Sequence, residues 1–475
     1  MFNKSSYICV MKKYKQHSHL VWKCNYHIIW CPKYRFSILT GLVKKWLVTI
    51  RMYYKRNECE VEELNLQPNQ IHIKQSKINK NSFFLLSTVI LLTSCLHNNI
   101  STDGLPVIDI NKQYPEKEMI LSDIADIKYV YLESKRNDFL YRGAIKYVTE
   151  NTIVVNDIAS GSILFFSKDG TPKSRFNRYG NGPEEYNEKV IPIVYDEVTD
   201  EVFVSVSFVN YIQVYSSKGE YKRKLLLPHG VRLTQMDSYD NQSLIVFDEG
   251  RMLYKAQPKT SEDNMDYLTH LVDSSFFLIS KADGQVLNYI QMLASKNDLS
   301  FKTPAGNPMM IYNTNIVKNA EGFLLCNPEI DTVFLYGKTK NLTPIICKTP
   351  LIGKSEPKII LNNCMDVGKY QFMEIRTVGY DYFGDRNRNK YYVRDKNSGK
   401  VFQQKIVIPD YRDKKITIYP NYSNFFHENG THIELDLIEL KGAYRENKLS
   451  GKLKELVGTL NENEGNNVFM FVNFN

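Results

Sequence analysis

From Thr152 onward the chain repeats one hydrophobic pattern: two short runs of Val, Ile, Phe and Tyr with a polar break between them, then a turn closed by glycine. Thr152–Asn156 and Ser162–Phe166 lead to Lys168-Asp169-Gly170, and Glu201–Val206 and Tyr211–Tyr215 lead to Ser216-Ser217-Lys218-Gly219. Ser275–Ser280 precedes Ala282-Asp283-Gly284, Thr332–Tyr336 precedes Gly337, and Lys390–Arg394 precedes Asn397-Ser398-Gly399. Short β-branched and aromatic runs bounded by turn residues predict strands. The marker glycines lie 49, 65, 53 and 62 residues apart, and a unit of roughly 50 residues is the size of one four-stranded propeller blade. A solenoid would need shorter, more regular repeats. Six blades with generous loops fit residues 109–475, and Lys128–Glu133 and Val468–Phe474 are the strands expected to close the ring. One helix is predicted, Lys452–Leu460, just before the last strand.

A different pattern precedes this. Residues 26–30 alternate as a strand, Leu42, Trp46, Ile50 and Tyr53 recur at helical spacing, and Cys59–Leu66 alternates again. Between the two regions, Phe83–Thr93 is an uncharged apolar run preceded by Lys77 and Lys80 and ending in Leu92-Thr93-Ser94-Cys95. It is shorter than the roughly 20 residues a membrane-spanning helix requires, with basic residues before it and small ones after, which is the order of a secretory signal. The chain therefore divides into residues 1–76, a signal-like segment 77–95, a polar linker 96–108, and a mainly β domain 109–475.

Charge follows the same division. Residues 1–80 hold 15 Lys and Arg against 4 Asp and Glu, on a chain whose net charge is +9, so the remainder is slightly acidic. The basic piece suggests nucleic acid as its ancestral partner; the long piece makes no such claim. The eight cysteines show no C-x-x-C spacing, and no G-x-x-x-x-G-K-[ST], H-E-x-x-H or G-x-S-x-G occurs.

Three resemblances attach to particular residues. Tyr26-His27-Ile28-Ile29-Trp30, Pro32-Lys33-Tyr34-Arg35, Leu39-Thr40-Gly41 and Leu66–Ile73 resemble the single-tyrosine HUH transposases of small insertion sequences, an α/β ferredoxin-like class. The resemblance implies a divalent cation held by two histidines around one hydrophobic residue, and a tyrosine that attacks DNA. Here Gln70 stands at the first histidine position, only His72 matches, and the match ends before the tyrosine helix. The segment is expected to be a truncated, inactive remnant, with a metal only if it were active and DNA binding possible only for residues 1–76. Leu92-Thr93-Ser94-Cys95 resembles a lipobox, which implies acylation of Cys95 and membrane attachment. The protein would then sit at the outer membrane or in the periplasm, or stay cytoplasmic if the N-terminal extension blocks export. Tyr114-Pro115, Leu121–Ile127, Tyr131-Leu132-Glu133 and Arg178–Tyr186 resemble six-bladed β-propeller lipoproteins of Gram-negative bacteria.

Four side chains of the last stretch, Arg178, Glu184, Glu185 and Tyr186, are the candidate ligand rim, although Gly180, Gly182 and Pro183 also account for the stretch as a rigid turn. Asp385–Asn389 carries oxygen side chains at alternate positions but lacks the glycine and glutamate of a calcium loop. His427 and His432 are expected in a solvated loop. No resident cofactor is expected. The functional expectation is a lipid-anchored propeller that binds a neutral glycan or a peptide at its central channel, with a lyase or hydrolase at the channel and a DNA-acting transposase as the alternatives.

Overall fold

The structure, a computed structural model, forms two compact units, residues 1–102 and 103–475. In the first it describes four strands. In the second it describes residues 104–475 apart from 135–137, 190–191, 207–209, 229–230, 250–274, 293–298, 300, 303–307, 310–313, 355–356, 380–388, 421–428 and 462–464.

In the first unit, β1 (Ser6–Tyr14), β2 (Cys24–Pro32), β3 (Val61–Gln67) and β4 (Gln70–Gln75) form an antiparallel sheet in the order β1-β2-β4-β3. The two expected strands are there as β2 and β3. β4 pairs antiparallel with both β2 and β3, so Gln70 and His72 lie on an interior strand, with His72 registered against Ile29 and Asn65. The predicted helix around residues 42–57 and the segment 77–95 with Cys95 lie outside the described residues.

The second unit begins with β5 (Val107–Asp109), β6 (Glu116–Ile120) and β7 (Ala125–Tyr131). Blade 1 is β8 (Gly143–Val148), β9 (Thr152–Asp157), β10 (Ile163–Ser167) and β11 (Pro172–Phe176). Blade 2 is β12 (Ile193–Asp196), β13 (Glu201–Ser205), β14 (Tyr211–Tyr215) and β15 (Tyr221–Leu226). Blade 3 is β16 (Leu233–Ser238), β17 (Ser243–Asp248), β18 (Phe276–Ser280) and β19 (Val286–Ile290). After a short pairing of β20 (Phe301–Lys302) with β21 (Pro308–Met309) comes blade 4, β22 (Ile316–Asn319), β23 (Gly322–Leu325), β24 (Thr332–Gly337) and β25 (Leu342–Thr349). Blade 5 is β26 (Ile359–Val367), β27 (Tyr370–Thr377), β28 (Asn389–Asp395) and β29 (Val401–Val407), with β30 (Lys415–Ile416) at its edge. The last sheet joins β31 (Gly430–Leu435), β32 (Val468–Phe474) and β7.

Six full blades were expected, and the described residues make five. The last sheet has three described strands with β7 outermost, and residues 421–428, just before β31, lie outside the described residues. Beyond β7, the passage to blade 1 is held by side-chain bonds. The buried Asn466 carboxamide donates to the carbonyls of Leu132 and Phe139 at 2.8 and 3.0 Å, and its oxygen accepts from Tyr141 N–H. Closure itself is as the alternating ends predict: β32 pairs antiparallel with β7, from Val468 opposite Tyr131 to Phe474 opposite Ala125.

The first strands of neighbouring blades lie against one another, so they line the axis. Second and third strands carry the rings that fill the space between blades, such as Phe165, Phe203 and Phe277, all fully buried. Each removes apolar surface worth about 1.5–3 kcal/mol. Outside the ring, β5 pairs parallel with β25 and β6 parallel with β29, so the start of the domain straps the outer edges of blades 4 and 5. Two helices join β31 to β32: α1 (Leu437–Arg445) and α2 (Gly451–Thr459). The pattern foretells α2 and not α1, whose apolar face is interrupted by Gly442. Asp436 accepts from Glu439 N–H at 2.8 Å, and that D-x-x-E spacing was the available signal.

Candidate functional site

Antiparallel strands place the links of each blade alternately at the two ends of the ring. One end of the five blades holds the first-to-second and third-to-fourth turns, none longer than five residues. The other holds the second-to-third links and the passages between blades, which include Asp248 to Phe276, Ile290 to Ile316, Thr377 to Asn389 and Val407 to Gly430.

The repeated glycines belong to the tight end. Gly170 has φ +96°, and a Cβ there would lie 2.0 Å from the Tyr131 carbonyl oxygen of the closing sheet. Gly219, φ +84°, repeats the arrangement against Phe176 of blade 1. Gly284, φ +82°, does the same against Leu226 of blade 2, and only glycine lets these three third-to-fourth turns approach the outermost strand of the preceding sheet so closely. Polar clasps join blades at the same end. Glu197 accepts from Thr149 and Thr152 hydroxyls at 2.9 and 2.5 Å, tying blade 2 to blade 1. Lys281 of blade 3 donates to Asp196 of blade 2 at 2.7 Å with both side chains largely buried. Burial opposes ionisation of Asp196, but the Lys281 charge and bond, with the N–H groups of Thr199 and Val198, hold its carboxyl below the usual range.

Arg178–Tyr186 lies in the passage from blade 1 to blade 2, on the open end. Tyr186 is fully buried; its hydroxyl donates to the Gly161 carbonyl at 2.7 Å and accepts from Arg178 N–H at 3.2 Å. Burial pushes its phenol up to about 12. Arg178 Nε donates to the Gly219 carbonyl, and the Glu185 carboxylate accepts from Gly182 N–H at 2.8 Å, closing the loop on itself. Tyr215 O–H and Gln213 Nε2 donate to the carbonyls of Glu184 and Pro183. Of the four candidate rim residues, then, Tyr186 is corrected to a core position, Arg178 and Glu185 hold the turn, and only the Glu184 side chain is exposed.

Polar groups that sequence reasoning did not single out lie along the inner strands. Tyr147 of blade 1 donates to Asp237 of blade 3 at 2.8 Å, passing blade 2, and both are buried. Burial raises the Asp237 carboxyl, with Lys318 and the Tyr147 bond acting against it. Nearby Lys146 is lowered by burial. Gln235 of blade 3 accepts from Asn315 and Ile316 N–H groups at 2.7 and 3.0 Å, which fastens blade 4. In blade 5, Asn362 Nδ2 and Asn389 Nδ2 donate to opposite oxygens of the buried Glu374 carboxylate, at 2.6 and 3.0 Å. His432 is not in a solvated loop: it is a buried residue of β31, with Phe469 and Phe471 rings 5.8 and 5.9 Å from its own. His427 and residues 385–388 lie outside the described residues. Among those described, no three His, Cys, Asp or Glu residues gather as a metal site, and no helix is long and apolar enough to cross a membrane.

The sequence profile of a family described as six-bladed beta-propeller matches residues 96–429. The chain belongs to that family. A second profile, IS200-like transposase, matches residues 20–82, so this propeller carries a transposase-like fragment ahead of it. No curated protein matches the chain. Among solved structures, a Bacteroides fragilis protein described as exported is 14% identical over 78% of this chain and 99% of its own, with a TM-score of 0.52, which shows the shared propeller fold. A Bacteroides vulgatus protein is 11% identical, covering 74% of this chain and 97% of its own, with a TM-score of 0.42. A streptogramin B lyase is 8% identical, covering 75% and 99%, with a TM-score of 0.34.

Proposed function

We propose that the propeller is an exported, lipid-anchored binding protein whose ligand, a neutral glycan or a peptide, is taken at the open end of the ring, and that residues 1–76 are an inactive transposase remnant. The observation that carries the binding reading is the contrast between the ends: every long link of the five blades leaves from one of them. Loops converging on a rigid scaffold present groups from several blades to one ligand, whereas short turns clasped to their neighbours offer little to bind. The balanced charge of residues 81–475 disfavours a polyanion as the ligand. Export and anchoring rest on the signal-like segment and on Cys95, and inactivity of the first unit rests on Gln70.

The full chain, screened against panels of neutral oligosaccharides and peptides, should bind members of one class. Replacing the link between Asp248 and Phe276 with Asn-Gly should weaken binding at least tenfold while the melting curve is preserved. Binding that survives removal of that link and of the one between Ile290 and Ile316 would overturn the assignment to this end. Radiolabelled palmitate should enter the wild type and not Cys95→Ala, and equal labelling of both would end the anchor assignment.

A further inference from the structure

The Asn362 cluster of blade 5 contains a group that the packing leaves unsatisfied. The register of β26 on β27 shifts between Leu361 and Asn363, a bulge that makes Asn362 the extra residue of the inner strand. Bulges re-aim side chains and are frequent beside functional sites. Asn362 is 3% exposed, and while its nitrogen donates to Glu374, its Oδ1 is buried and accepts from nothing. A buried carbonyl oxygen without a donor is penalised in the folded state. Tyr391 stands directly across the ladder from Glu374, and burial, together with the Glu374 charge, keeps its phenol protonated. Its ring centre is 4.8 Å from that of Tyr419, and both residues are half-buried, so the cluster runs outward from an orphan acceptor to a pair of partly open rings.

Resting on the binding reading above, we infer that this cluster takes a hydroxyl of a neutral sugar, which donates to Asn362 Oδ1 while the sugar's C–H face lies on the Tyr391–Tyr419 rings. The chemistry separates this from other ligands. An anion would meet the Glu374 carboxylate. An ammonium group would seek that carboxylate itself, yet each of its oxygens already accepts from a carboxamide. The free valence is a neutral acceptor, and a hydroxyl is the neutral donor that comes attached to an apolar face suited to aromatic rings.

Saturation-transfer NMR on the full chain, with the methyl glycosides of glucose, galactose, mannose and N-acetylglucosamine as probes, should show transfer to at least one sugar. Asn362→Leu should weaken that sugar's binding at least tenfold, and Val198→Thr, at an exposed tight-end position, should not change it. Should Asn362→Leu fail to fold, Tyr419→Leu removes one ring of the platform and should weaken binding to a similar degree. Sugar binding untouched by either substitution would overturn this inference and leave open-end binding standing. No transfer to any of the four would overturn it too, and a peptide found in the screen above would then be the ligand class of the open end.

Discussion

The two ends of the ring are built on opposite terms. At the tight end, glycines at positive φ bring the third-to-fourth turns of blades 1, 2 and 3 onto the preceding sheet, and carboxylates such as Glu197 and Asp196 reach between blades. At the open end the passage Arg178–Tyr186 bonds to itself as well as to blades 1 and 2, and the long links lie within blades 3 and 5 and directly after each of them. The contrast teaches that a propeller can concentrate its stability at one mouth and so leave the other to vary without loss of the ring.

The most severe way to break the comparison is to open the ring while leaving both ends intact. Deleting Val468–Asn475 removes β32, exposes the edges of β7 and β31, and should abolish cooperative melting and cause aggregation. A truncated chain that melts like the full one would show that tight-end clasps suffice without closure. Next in size is Lys281→Met, which leaves Asp196 charged and buried without its partner and should cost about 3–5 kcal/mol, measured by denaturant unfolding. Gly170→Val should cost about 1–3 kcal/mol through backbone angle alone, and more through the collision with Tyr131. Glu184→Gln, on the open end, should change stability by less than about 0.5 kcal/mol. If the Glu184 and Gly170 variants were equally destabilised, the distinction between the ends would fail.

Acid titration sharpens the same contrast. For Asp196, Glu197, Asp200 and Asp240, in or next to the first-to-second-strand turns of blades 2 and 3, burial opposes ionisation, but bonds to Lys281, Thr152, Ser217 and Ser243 outweigh it and hold each carboxyl low. A lowered folded pKa gives stability that is present above the unfolded value of about 4 and is lost as pH falls through the folded one. Asp237 has the reverse sign: raised chiefly by burial, it contributes below its unfolded pKa and that contribution is lost as pH rises through the folded value. Asp237→Asn should therefore keep or raise the melting temperature at pH 7, whereas Asp196→Asn should lower it; a fall in both would reject the assignment of opposite signs.

What could be read from the sequence follows from what repeats. The glycine-marked turns, the strands before them and the pairing of β7 with β32 all rest on local alternation and turn chemistry, which a single chain displays openly. The passage from β7 to blade 1 was hidden because one buried carboxamide, Asn466, holds it, and nothing in its neighbours' pattern announces that. The rim residues were misjudged at Tyr186 because an aromatic after a Gly-Pro turn suits either a rim or a core, and only the tertiary bond to Gly161 decides. Asn362 was invisible for a similar reason: a bulge shifts the parity of its strand, so alternation places it wrongly.

The strap formed by β5 and β6 also orders events in time. Val107 pairs with Cys347 and Glu116 with Gln403, so the earliest strands of the domain to be synthesised wait for partners made more than two hundred residues later. Contacts of such sequence separation are slow to form, because the loop must close before the pairing repays it. Until the strap docks, β25 and β29 present open outer edges to other chains. The nascent propeller is thus most prone to association after blade 5 is complete and before its own beginning has returned to cover it.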